Sequence, residues 1–125
     1  MLKNYILVFI GGGLGACARY NLSGIVYRWL PSNFPYGNLL VNISGCFVIG
    51  ILMASLEERF FVVPELRIFL TIGILGGFTT FSSFSYETVA LLRNGELYLG
   101  IVNAGVSLIG CLLATAIGMT IGKLL

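Results

Sequence analysis

Residues 71–85 read Thr71-Ile72-Gly73-Ile74-Leu75-Gly76-Gly77-Phe78-Thr79-Thr80-Phe81-Ser82-Ser83-Phe84-Ser85. They lie inside a run of 19 uncharged residues between Arg67 and Glu87. That run is long enough to cross the hydrocarbon core of a bilayer. Its middle is a poor helix former, because adjacent glycines are followed by Thr-Thr. Five hydroxyls fall within seven residues there. Two readings are open: a continuous helix that uses Gly and Ser for close packing, or a helix broken near its middle. In lipid a released backbone carbonyl is costly, so a break is tolerated only against protein, water or an ion. Discontinuous helices near the midplane are where transporters hold ions. Carbonyls freed by a break are hard oxygen ligands, suited to an alkali cation such as Na⁺.

The rest of the chain agrees with a membrane setting. Among its 125 residues 58% are hydrophobic and 10% are charged, and the chain has no His. Asp is absent too, and the mean hydropathy is +0.99. A soluble domain carries about 25% charged residues. This composition excludes a soluble enzyme, a disordered tail and a nucleic-acid binder; a net charge of +2 makes no phosphate-binding face. An all-α membrane protein remains, with residues 1–125 as a single domain of four transmembrane helices. So small a bundle encloses little of a polar path alone, and an oligomer is expected.

Charges mark the span ends. The first span runs from about Asn4 to Arg28 with Arg19 inside it. Pro31 and Pro35 precede a second span from Tyr36 to Leu56. The third occupies the run between Arg67 and Glu87, and the fourth the 26 uncharged residues between Glu96 and Lys123. The connections Trp29–Pro35, Glu57–Glu65 and Asn94–Glu96 are short, so consecutive spans are antiparallel neighbours.

With four spans both termini share one side. That side carries Lys3, Arg59, Arg67 and Lys123; the other carries Arg28 and Arg93. Orientation follows the Lys/Arg excess of short loops, and an excess of two is weak. Either the chain inserts one way, or it inserts both ways and two copies pair about a two-fold axis in the membrane plane.

Polar residues fall in rows. Asn38 and Asn42 are one turn apart on the second span; Asn103, Ser107 and Cys111 follow at steps of four on the fourth. They serve either as interhelical glue or as a track of neutral donors suited to a dehydrated anion. Phe81 and Phe84 share a helix face, and aromatic ring edges carry partial positive charge. Such a pair is either lipid-facing or core packing, or an anion contact. Arg19 either draws anions to a vestibule or snorkels to the interface. Glu87 either pairs with Arg19 or sits at the interface.

Other signals have plainer readings. Gly11-Gly12-Gly13-Leu14-Gly15 lacks the strand and acidic residue of a dinucleotide loop, and is read as a glycine face for close helix packing. Leu14-Gly15-Ala16-Cys17 and Ala16-Cys17-Ala18 resemble cleavage sites, but cutting there would leave a chain still almost wholly membrane, so no processing is expected. Cys17, Cys46 and Cys111 are odd in number and read as small apolar residues.

Gly15-Ala16-x-x-Arg19, Gly37-Asn38-x-x-x-Asn42 and Gly73-x-x-Gly76-Gly77-x-Thr79-Thr80-Phe81-Ser82-Ser83-Phe84-Ser85 with Glu87 together resemble the Fluc (CrcB) fluoride channels. The resemblance covers essentially the whole chain. It implies a multi-pass protein of the cell (inner or plasma) membrane that is not an enzyme. It also implies a dual-topology antiparallel homodimer, with two pores that export fluoride passively and confer fluoride resistance. A central structural Na⁺ is implied between the chains, bound by the backbone carbonyls of Gly76 and Thr79. Phe81 and Phe84 are then expected to edge the fluoride path, with Asn42, Ser82 and Ser83 along it. Asn38, Asn103 and Ser107 continue the polar track, and Arg19 and Glu87 shape the vestibule. Four positions depart from the common pattern. Asn38 stands where some relatives have Thr, Asn103 where some have Tyr, Cys111 at a Ser position, and Ser83 where Thr is usual.

Two other functions are weaker. A small multidrug exporter needs a carboxylate deep in the first span, where this chain has Arg19. A scaffold subunit would explain the glycines but not the aligned donors.

Overall fold

A computed structural model describes residues 1–58 and 63–125. Arg59, one of the charges used to weigh orientation, lies outside the described residues. Four helices are long and apolar enough to cross a membrane: Leu2–Trp29, Tyr36–Glu57, Pro64–Arg93 and Leu97–Leu124. Among the described residues all regular structure is helical.

The ends follow local chemistry. The first span stops at Trp29, where Leu30 turns extended just before Pro31. Pro64 opens the third span at a position where its missing N–H costs nothing. The third span closes with a glycine cap: Gly95 takes φ +83°, the Glu96 N–H reaches the Leu91 carbonyl at 2.9 Å, and the Gly95 N–H reaches Leu92 at 3.3 Å. These crossed bonds satisfy carbonyls the helix end would strand. At the termini's side, Lys3 Nζ meets Glu65 Oε1 at 3.1 Å, which joins the starts of the first and third spans. The spans therefore alternate in direction, as the short connections predict.

Lipid offers no hydrophobic drive between helices, so packing relies on small residues that let backbones approach. The first span lies against the N-terminal half of the third. A Cβ on Gly11 would sit 2.9 Å from the Gly73 Cα, and one on Gly15 would meet the Ile74 carbonyl. The glycine-rich run is thus the packing face expected from sequence. The second and fourth spans run parallel and cross equally closely: a Cβ on Gly118 would strike the Phe47 carbonyl, and Ser55 Oγ donates to the Gly122 carbonyl at 3.1 Å. Val41 and Asn103 are the largest fully buried side chains among the described residues. Large apolar residues such as Phe9, Leu112 and Ile109 face outward, as a bilayer solvent requires.

The third span is broken, which decides between the two readings of residues 71–85. Its N-terminal half begins as an α-helical turn, Pro64–Arg67, and continues as a π-helical stretch, Ile68–Leu75. There the Gly76 N–H bonds the Thr71 carbonyl, five residues back. A short turn, Gly76–Phe78, follows. Thr79 and Thr80 are then extended, at φ −82°, ψ 154° and φ −149°, ψ 115°, before the helix Phe81–Arg93 resumes. The break falls at the Thr-Thr pair. Runs of π-helix are rare and cluster at functional sites.

Candidate functional site

A break in mid-membrane exposes two opposite poles. The upstream half ends in carbonyls, a partial negative charge; the downstream half begins in N–H groups, a partial positive charge. One pole suits a cation and the other an anion.

Asn42 holds the break open. Its Oδ1 accepts from the Thr80 N–H at 2.8 Å, and its Nδ2 donates to the Thr80 carbonyl at 2.9 Å. The Thr80 N–H would otherwise return to the Gly76 carbonyl in an unbroken α-helix. Thr80 also caps the downstream helix: its Oγ1 accepts from the Ser83 N–H at 3.2 Å and donates to Ser83 Oγ at 3.1 Å. Ser82 Oγ lies 3.2 Å from the same hydroxyl. Thr79 Oγ1 turns back to the Leu75 carbonyl at 2.9 Å, and so ends the upstream half.

Against this break lies a cavity of about 280 Å³, lined in part by Asn42, Thr79, Thr80, Phe81, Phe84 and Ser107. Among the described residues no charged side chain lines it. The Phe81 and Phe84 rings stand 5.3 Å apart at 54° to one another. The chamber therefore combines neutral donors, ring edges and a helix N-terminus.

The other expected residues extend from it. On the fourth span Ser107 Oγ donates to Asn103 Oδ1 at 3.4 Å, and Asn103 Nδ2 donates to Thr88 Oγ1 at 2.9 Å. At the start of the second span Asn38 Nδ2 donates to Glu87 Oε1. Glu87 takes this amide, not Arg19, as its partner among the described residues. Glu87 lines a second cavity of about 180 Å³ with Tyr27, Ser32, Asn33, Tyr86 and Asn94. Both Asn rows thus engage the downstream half of the third span. Arg19 is half-buried on the first span, and its side chain lines neither cavity. Ser82 and Gly76 lie on an exposed face. Buried side-chain polar atoms all have partners among the described residues.

Three residues matter beyond those expected. Thr80 was readable as a cap, since a Thr three residues before Ser opens the downstream helix. Cys46 extends the row Asn38–Asn42 by one more step of four, and it lines the main cavity. Thr88 carries no local signal; its role appears only when the fourth span brings Asn103 to it.

The profile of the family described as "CrcB-like protein, Camphor Resistance (CrcB)" matches residues 6–119. The chain belongs to the CrcB family. Relatives within this CrcB family cover nearly its whole length. A "Fluoride-specific ion channel FluC" of Geotalea uraniireducens (strain Rf4) is 50% identical over 97% of this chain and 96% of its own. One of Geotalea daltonii is 47% identical over 98% of each. Another, of Citrifermentans bemidjiense, is 44% identical over 99% of this chain and 100% of its own. Their shared name is that of an ion channel, not of an enzyme.

Proposed function

We propose that this chain forms a fluoride-selective channel that carries fluoride passively across the cell membrane. The uncharged cavity at the broken third span is the observation that carries the reading. Fluoride is small and strongly hydrated, so a pore must replace its water with close donors. Asn42 keeps a second amide N–H beyond the one it gives Thr80, the Ser107 and Thr80 hydroxyls could turn from their protein partners, Phe81 and Phe84 offer ring edges, and the helix starting at Phe81 adds its positive pole. None is a fixed charge that would hold the ion, so leaving stays as easy as binding. Asn103, Asn38, Ser82 and Ser83 continue the donors on either side. Glu87 and Arg19 set the field at the mouths, outside the main cavity.

We assign the working unit to an antiparallel homodimer with two pores. A single chain leaves Phe81 74% exposed, with Ser82, Ser85 and Gly76 on open faces near mid-membrane. Polar groups there need cover, and a second inverted copy supplies it. The fit for a central Na⁺ is good. A Cβ on Gly76 would have the Thr71 carbonyl as its nearest neighbour, at 3.8 Å, so the approach to this backbone is open. The carbonyls of Gly76 and Thr79, from both copies, would hold the ion. When bound, Na⁺ supplies positive charge where the carbonyl poles of two broken helices meet.

Purified protein in liposomes loaded with potassium fluoride tests the reading. With valinomycin present, a fluoride electrode should record rapid efflux that protein-free vesicles lack. Efflux no faster than in protein-free vesicles would overturn it.

A further inference from the structure

The fluoride reading leaves one pair of groups without a task. Cys46 on the second span and Cys111 on the fourth both line the main cavity, and the two thiols are near enough to interact. Both are free thiols. They close the two polar rows, four residues beyond Asn42 and Ser107 respectively. The frame beneath them is tight: a Cβ on Gly110 would sit 3.0 Å from Ile43 Cδ1, and Gly118 lies against the Phe47 carbonyl. Two helices held at backbone contact keep these two positions on facing elements.

We propose that Cys46 and Cys111 form a two-thiolate site for one thiophilic cation of the mercury(II) class. The donor set selects the metal. No cluster of three or more His, Cys, Asp or Glu exists among the described residues, so ions that need four or more ligands are not served. A soft cation that accepts linear two-coordination is complete with two sulfurs. In the step, each S–H loses its proton to solvent and two S–Hg bonds form. The metal keeps its oxidation state, and the product is neutral. A neutral complex suits walls made by Leu108, Leu112 and Phe84. The cation would stand in the chamber beside Phe84 and obstruct it. That last consequence rests on the channel reading; the site itself does not.

The test uses reduced full-length Cys17→Ser protein, so that only the pair remains, in chloride-free buffer with one equivalent of mercuric nitrate. Mass spectrometry should show one mercury per chain with two protons lost. Both thiols should then resist N-ethylmaleimide. One thiol still open to maleimide, or a second mercury per chain, would overturn the site. In liposomes, mercuric ion should block fluoride efflux. Cys46→Ser or Cys111→Ser should raise the half-blocking concentration by about 100-fold, because the second, intramolecular sulfur is lost. Bridging without block would support the site and overturn the cavity as the fluoride path.

Discussion

Asn42→Leu is the most informative single substitution. Leu keeps the branching of Asn at Cγ but is bulkier and apolar, and both bonds to the Thr80 backbone vanish. Thr80 is 8% exposed, and its N–H would be left without a protein partner, while its carbonyl would keep only the first bond of the downstream helix. An unsatisfied buried N–H costs about 1–3 kcal/mol, and the lost amide bond to the carbonyl adds about 0.5–1.5 kcal/mol. Mid-membrane placement favours the upper half, since little water is available to substitute. The variant should lose stability and lose fluoride flux together. Unfolding in detergent, followed by circular dichroism as denaturant rises, reads the first; a fluoride electrode reads the second. An unfolding midpoint equal to that of the parent protein would refute the clamp, and unchanged flux would refute the pore assignment.

Phe81→Ile removes the ring edge while leaving an apolar side chain; flux should fall by tenfold or more with the parental size-exclusion profile kept, and parental flux would remove Phe81 from the path. Thr80→Val deletes the cap of the downstream helix and should cost about 0.5–2 kcal/mol in the same unfolding assay. Gly15→Leu forces a side chain onto the Ile74 carbonyl, so the first span should separate from the third and folded yield should collapse. Replacing Na⁺ with a large organic cation throughout purification should abolish flux if carbonyls of Gly76 and Thr79 hold the ion; full activity in its absence would count against that site.

Much of this architecture was legible because charge is scarce. Lys3, Arg28, Glu65 and Lys123 fall at or near span ends, where a bilayer tolerates them. The break was legible as a possibility, since Gly76-Gly77 and Thr79-Thr80 disfavour a helix. Its place at Thr79–Thr80 was not, because it is fixed by Asn42, 38 positions away in the chain. The π-helical stretch Ile68–Leu75 had no signal at all; its residues are ordinary apolar ones, and only tertiary packing against Gly11 and Gly15 accompanies its wider turn. The rows of Asn were read correctly as faces, but their partners were not. Asn38 meets Glu87, and Asn103 meets Thr88, through helix contacts that periodicity within one span does not specify. Cys46 belonged to a row already recognised, and four-residue spacing alone would have found it.

The central claim is that neutral donors at a broken helix select fluoride. The direct measurement is efflux of fluoride and chloride from liposomes loaded equally with both, followed with two ion-selective electrodes. The account predicts that fluoride leaves rapidly while chloride stays at the leak rate of protein-free vesicles. Chloride efflux at a rate similar to fluoride would contradict it.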